Sequence, residues 1–197
     1  MLVYSTSSSF FLCFALLMQS GLGLDPFAAG RLFAPCSVAF VAASLMAPRW
    51  VGRWGTRVLA IGALFYAMSI GALIVQVHVA GASLVPTHLI PTLVVVGAAQ
   101  AVIMTPLLNL VLGFVDAPQA GMASGVISTV QQVGAALGVA VVGILFAATL
   151  DDGGGTAAAY ARAFVWGMAY NLAAAVMVCG LLWTLVRQRL SRVSCAG

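Results

Sequence analysis

The chain has 197 residues, of which 63% are apolar and 6% charged; eight Arg and four Asp, with neither Lys nor Glu, give a net charge of +4. Soluble domains carry about a quarter charged residues, and disorder needs low hydrophobicity with high charge, so both are excluded and an integral membrane protein remains. At ~20 residues per span, the length holds about six spans and short loops, and leaves no sizeable soluble domain.

The first predicted span covers residues 2–22. No charge precedes Asp25, whereas a cleaved signal peptide carries a positive leading region, so this segment reads as a retained helix. Gly21 to Pro26 turns the chain into span two, residues 28–46, which is expected to break at Pro48. A basic loop with Arg49, Arg53 and Arg57 leads to span three, residues 58–79. Span four covers 88–115 and carries Gln100, Met104, Thr105, Pro106 and Asn109. Thr105 and Asn109, four residues apart, share a face; Gln100 points nearly the opposite way. Pro106 removes a backbone hydrogen bond in mid-span and predicts a bend. Asp116 and Pro118 separate it from span five, residues 121–150; Asp151 to Gly155 then form a polar loop, and span six covers 163–186. The remainder, 187–197, reads as an Arg-bearing tail. The whole is one six-helix transmembrane domain.

Six spans place Arg49, Arg53, Arg57, Arg187, Arg189 and Arg192 on one side, against Arg31 and Arg162 on the other. Positive charge accumulates on cytoplasmic loops, so both termini are expected in the cytoplasm. Trp166 and Trp183, about 25 Å apart on a helix, suit the two interfaces. The basic balance predicts no nucleic-acid partner, because the Arg residues are scattered over loops without interleaved aromatics. Cys13, Cys36, Cys179 and Cys195 lack metal or redox spacing and read as small apolar residues.

Span five is the most informative segment. Steps of ~3.6 residues align Gly121, Gly125, Ser128, Gln132, Ala135, Val139 and Gly143 in a mostly small stripe, opposite Val126, Val130, Val133, Leu137, Val141 and Ile144. Gly121/Gly125 and Gly134/Gly138 are both spaced for close helix contact. The second pair lies off the small stripe, so the helix is expected to have two close neighbours. Polar groups inside spans face the bundle or a water-filled cavity. Gln131 and Gln132 diverge by ~100°, so one of them is expected to face a cavity and the other a neighbouring helix. Gln132, on the stripe, is the cavity candidate. Gln19, Ser5 to Ser9, Tyr170 and Asn171 read first as interhelical hydrogen-bonding groups.

No Asp, Glu or Lys lies inside a span, and His78 and His88 sit at span ends, so a titratable proton relay at membrane depth is not expected in this chain. Catalytic constellations are missing too. Met122 to Gly125 departs from the GxSG motif of intramembrane serine proteases at its first glycine, and Gly153 to Gly155 precede no strand as a nucleotide loop requires. Neither a metal nor a cofactor is expected, and the chain is not read as an enzyme.

Gly121-Met-Ala-Ser-Gly-Val-Ile-Ser-Thr-Val-Gln-Gln-Val-Gly-Ala-Ala-Leu-Gly138, continuing to Gly143, resembles the penultimate helix of major facilitator superfamily transporters, and within them the fourteen-helix drug:proton antiporters. Pro106 to Leu112, Asp116 to Pro118 and Gly21 to Gly30 fit the same family. Pro48 to Arg57 resembles the weaker second copy of its cytoplasmic loop motif: Arg53, Gly55 and Arg57 match, while Gly52 stands where the motif has Asp and Pro48 where it has its first Gly. The resemblance implies an all-α fold, one 3+3 half of a two-half transporter, with spans one, two, four and five toward a central cavity and three and six outside. It implies efflux of small amphipathic compounds from the inner membrane of a bacterium, with Gln19, Met104, Thr105, Asn109, Ser128 and Gln132 as cavity candidates and Gly121, Gly125, Gly134, Gly138 and Gly143 as packing positions. The acidic coupling groups would lie mainly in an N-terminal half. The partners are then the lipid bilayer, that half or a second copy of this chain, and the substrate. An inactive remnant and a self-associating exporter stay open as alternatives.

Overall fold

The computed structural model describes residues 1–55, 57–112, 119–151 and 155–194. The turn expected at Asp116 to Pro118 lies outside them, as do Asp152, Gly153, Gly154 and Cys195. Among the described residues there is no strand. Helix α1 runs Leu2–Ala15 and closes in a π-helical stretch, Leu16–Gly21. It is followed by α2 (Pro26–Trp54), α3 (Arg57–Ala80), α4 (Ile90–Leu112), α5 (Ala120–Asp151) and α6 (Ala157–Ser194). Among the described residues, six helices are long and apolar enough to cross a membrane.

Local chemistry explains the starts and stops. The Asp25 carboxylate accepts a 3.0 Å hydrogen bond from the Phe27 amide, and Pro26 occupies the first helical position, where its missing N–H costs nothing. At the other end of α2, Gly55 has φ 62° and ψ −150°, a region adopted essentially only by glycine and costing another residue ~1–3 kcal/mol. Two helices run further than the punctuation predicts. α2 continues through Pro48 to Trp54, so Arg49 and Arg53 sit on helical turns and not in a loop. Spanning helices tolerate proline because neighbouring groups re-satisfy the freed carbonyl; Pro35 and Pro106 likewise lie inside α2 and α4. α6 starts six residues earlier than expected, at Ala157, and stays helical to Ser194, past Arg187 and Arg192.

The helices pack as α1 on α5 and α6, α2 on α4, α3 on α4 and α6, and α5 on α6, with a small α2–α3 contact. Exchanging helices 1, 2 and 3 for 4, 5 and 6 maps this set onto itself. The α2–α4 pair becomes α1–α5, α3–α4 becomes α1–α6, and α3–α6 is its own image. Two three-helix units related in this way make one six-helix half, the 3+3 arrangement. Phe10, Leu17, Met18, Ile70, Leu93 and Phe164 fill the core. The least covered spans are α2 and α5.

Polar side chains clasp the bundle from inside. Ser9 donates to Asn171 Oδ1 at 2.7 Å, and the Ser5 and Tyr170 hydroxyls meet at 2.7 Å, both tying α1 to α6. Gln76 and Thr92 bond at 2.9 Å between α3 and α4. Cys13 and Cys36 are buried free thiols and Cys179 is half-buried.

Candidate functional site

The candidate site is the open face of α5, and its position follows from where the chain's own helices touch. A side chain at Gly134 would meet the Met1 carbonyl, and one at Gly138 would strike the Ser5 carbonyl and hydroxyl. Helix α1 thus packs on α5 at Gly134 and Gly138, about 20 Å along α5 from Ala120. Gly121 and Gly125 are exposed and Gly143 is half-buried, each with nothing within 4 Å of a built Cβ. The glycine pair off the small stripe is thus the one used within this chain, while the small stripe is exposed at Gly121, Gly125, Ser128, Gln132 and Val139 and half-buried at Ala135 and Gly143.

The two glutamines divide as their angular separation requires. Gln131 donates to the Tyr4 hydroxyl of α1 at 2.7 Å. Gln132 is exposed on the open face, as is Ser128 one turn before it. Neither makes a hydrogen bond among the described residues, whereas the neighbouring Ser124 and Thr129 hydroxyls donate to carbonyls of their own helix, Gly121 and Gly125. The face thus presents a serine hydroxyl and a carboxamide on a glycine-smoothed surface, and the bulky stripe opposite it, Val126, Val130, Val133 and Leu137, is exposed too. It carries no charge, so it can meet a ligand by contact and hydrogen bonding only.

The other candidates are not gathered at this place. On α4, Met104 and Thr105 are half-buried and Asn109 is exposed near the helix end. Gln19 is exposed on the π-helical stretch at the far end of α1, about 30 Å along the bundle axis from Gln132 when Ser5 is levelled with Gly138. Arg53, Gly55 and Arg57 are exposed at the α2–α3 junction. Ser5, Ser9, Tyr170 and Asn171 serve as interhelical ties. Tyr66 was not singled out by the sequence: its hydroxyl and the Gln100 side-chain nitrogen are buried without a hydrogen-bond partner and line one small cavity with Thr6 and Ala175. A tyrosine in the middle of an apolar span is the signal that could have found it.

Six apolar helices in a 3+3 arrangement, with an uncharged polar face exposed on α5, define an all-α integral membrane unit. No family model matches the chain. It is similar to a probable actinorhodin transporter of Streptomyces coelicolor, 32% identical over 162 residues, which is 77% of this chain and 28% of the relative. It is 31% identical over 188 residues to a puromycin resistance protein of Streptomyces alboniger, covering 91% of this chain and 37% of that protein. It is 36% identical over 132 residues to the drug efflux pump JefA of Mycobacterium tuberculosis, covering 67% of this chain and 25% of the pump. The chain thus spans between 25% and 37% of the length of these curated relatives. It belongs to the major facilitator superfamily of transporters.

Proposed function

We propose that this chain is the C-terminal six-helix half of a proton-coupled drug exporter of the fourteen-helix type, in a bacterial inner membrane with both termini cytoplasmic. Residues 1–197 act as one transmembrane domain with 187–197 as its cytoplasmic end. The observation that carries this is the open α5 face, because an uncharged polar stripe on glycines suits a wall that meets a partner half across a cavity. The similarity to a probable actinorhodin transporter and to a drug efflux pump supports the direction and class of cargo. Cargo would touch Ser128, Gln132, Asn109, Thr105 and Met104, with Gln19 at the opposite mouth, and would pass through chemically unchanged.

The 3+3 packing supplies the mechanical part. The interhelical bonds of Ser9 with Asn171 and of Ser5 with Tyr170 fix α1 to α6, so the half can rock as one body while its partner faces change. Its spans carry no Asp, Glu or Lys, so the titrating carboxylate of the coupling step is supplied by the other half.

The test is proton-gradient-driven efflux of a fluorescent cationic dye from proteoliposomes. The chain alone is expected to give none, and the chain joined to the segment encoded upstream of it is expected to restore it. Efflux by the purified monomer would overturn the assignment as a half. In the joined protein, Gln132→Leu is expected to alter dye affinity with folding retained. Efficient disulfide crosslinking of two copies through Gly125→Cys, together with efflux by that dimer, would instead establish a self-pairing exporter.

A further inference from the structure

We propose that the cleft between α2 and α3 is a binding site for an anionic phospholipid, with an acyl chain in the cleft and the phosphate on Arg53 and Arg57. The two helices barely touch along their length, and α4 forms the floor between them. The resulting space, about 430 Å³, is lined by Trp50, Trp54, Val58, Phe65, Val95 and Val102, among other apolar residues. Phe65 and Trp54 are 53% and 62% exposed, so the cleft opens sideways.

Its long axis runs down α4 from Val94 to Val102, eight residues or about 12 Å, close to the ~15 Å depth of one leaflet's hydrocarbon. At the end marked by Trp54, the chemistry changes abruptly. Arg53 immediately precedes Trp54 and Arg57 immediately precedes Val58 in sequence, and Arg49 lies one turn earlier on α2; all three arginines are exposed. Guanidinium groups take a phosphate in bidentate fashion, and indole rings settle at headgroup level. An apolar slot one leaflet deep, ending in two indoles and three guanidiniums, is complementary to a lipid with a negative headgroup.

A protein helix is the poorer fit. The exposed side of α3 beside the cleft, Ile61, Leu64, Phe65 and Met68, carries no polar group. The uncovered polar stripe lies on α5, which packs on α1 and α6, on the other flank of the bundle. The inference needs only the six spans and is independent of the exporter reading.

The experiment uses the full chain with Trp166→Phe and Trp183→Phe, so that fluorescence reports Trp50 and Trp54 alone. It is placed in phosphatidylcholine bilayers in which an increasing fraction of the lipid is replaced by brominated phosphatidylglycerol or by brominated phosphatidylcholine. Brominated phosphatidylglycerol is expected to quench at a mole fraction on the order of tenfold lower than brominated phosphatidylcholine. Arg53→Gln with Arg57→Gln is expected to abolish that preference while the thermal midpoint in detergent is kept, and Ala98→Phe, which fills the cleft, is expected to reduce quenching by both lipids. Equal quenching by the two lipids in the unaltered cleft would overturn the proposal in favour of bulk bilayer. Absence of quenching by either, with a crosslink from Phe65→Cys to another copy, would overturn it in favour of a protein occupant.

Discussion

Replacing Gly138 by Ala tests the α1–α5 crossing on which the site's geometry rests. The new methyl would land on the Ser5 carbonyl, and a backbone atom cannot swing aside as a side-chain end can. Ser9 Oγ lies 2.7 Å from that carbonyl and shares its one proton between it and Asn171 Oδ1, and the Ser5 hydroxyl is held to Tyr170 at 2.7 Å. Overpacking costs about 1–3 kcal/mol, and weakening two hydrogen bonds inside a membrane bundle adds about 0.6 kcal/mol each. Against this, alanine recovers up to about 1 kcal/mol of helix propensity. The net expectation is a loss of about 1–3 kcal/mol, which for a chain of this size lowers the melting midpoint by roughly 5 °C. Cys13 and Cys36 are 0% and 2% exposed, so a thiol-reactive dye labels them on unfolding and reports that midpoint in detergent. Gly125→Ala is the control: nothing lies within 4 Å of its added methyl, so its midpoint should stay level or rise slightly. A Gly138→Ala protein as stable as the unsubstituted chain would refute the crossing, and with it the packing of α1 on Gly134 and Gly138.

Three further outcomes follow from the same contacts. Ser9→Ala and Asn171→Leu should each destabilise the chain, and the double substitution should lose less than the sum, with a coupling of about 0.6 kcal/mol and at most roughly 1.7; zero coupling in the thiol-labelling assay would remove the α1–α6 clasp. Gln100→Leu replaces a 5%-exposed amide whose nitrogen has no partner. It should keep or raise the midpoint, because the unmade bond already costs about 1–3 kcal/mol, and a clear drop would mean that the amide is bonded. Gly55→Ala, at φ 62° and ψ −150°, should lower stability by about 1–3 kcal/mol although open space surrounds it; no change would show that the α2–α3 junction takes another conformation.

Much of this protein is legible along the chain. The lack of charge sets the solvent, and the runs of apolar residues set six helices, because a backbone in hydrocarbon must satisfy its own hydrogen bonds. The ~100° step per residue separates Gln131 from Gln132, and the structure gives one to Tyr4 and leaves the other open. Ser9 and Asn171, polar in apolar spans, were readable as interhelical partners because each costs energy without one.

Tertiary structure decided what lies between helices. The sequence shows two close-contact glycine pairs on α5 but not that Gly134/Gly138 takes α1 while Gly121/Gly125 stays open. Nor does it show that Gln19 ends about 30 Å from Gln132, that α2 continues through Pro48, or that α2 and α3 leave a cleft floored by α4. The reason is geometric. Periodicity within one helix fixes the angle at which a side chain leaves its axis. The height at which that side chain meets another helix depends on the axial offset between the two, and only their packing sets that offset.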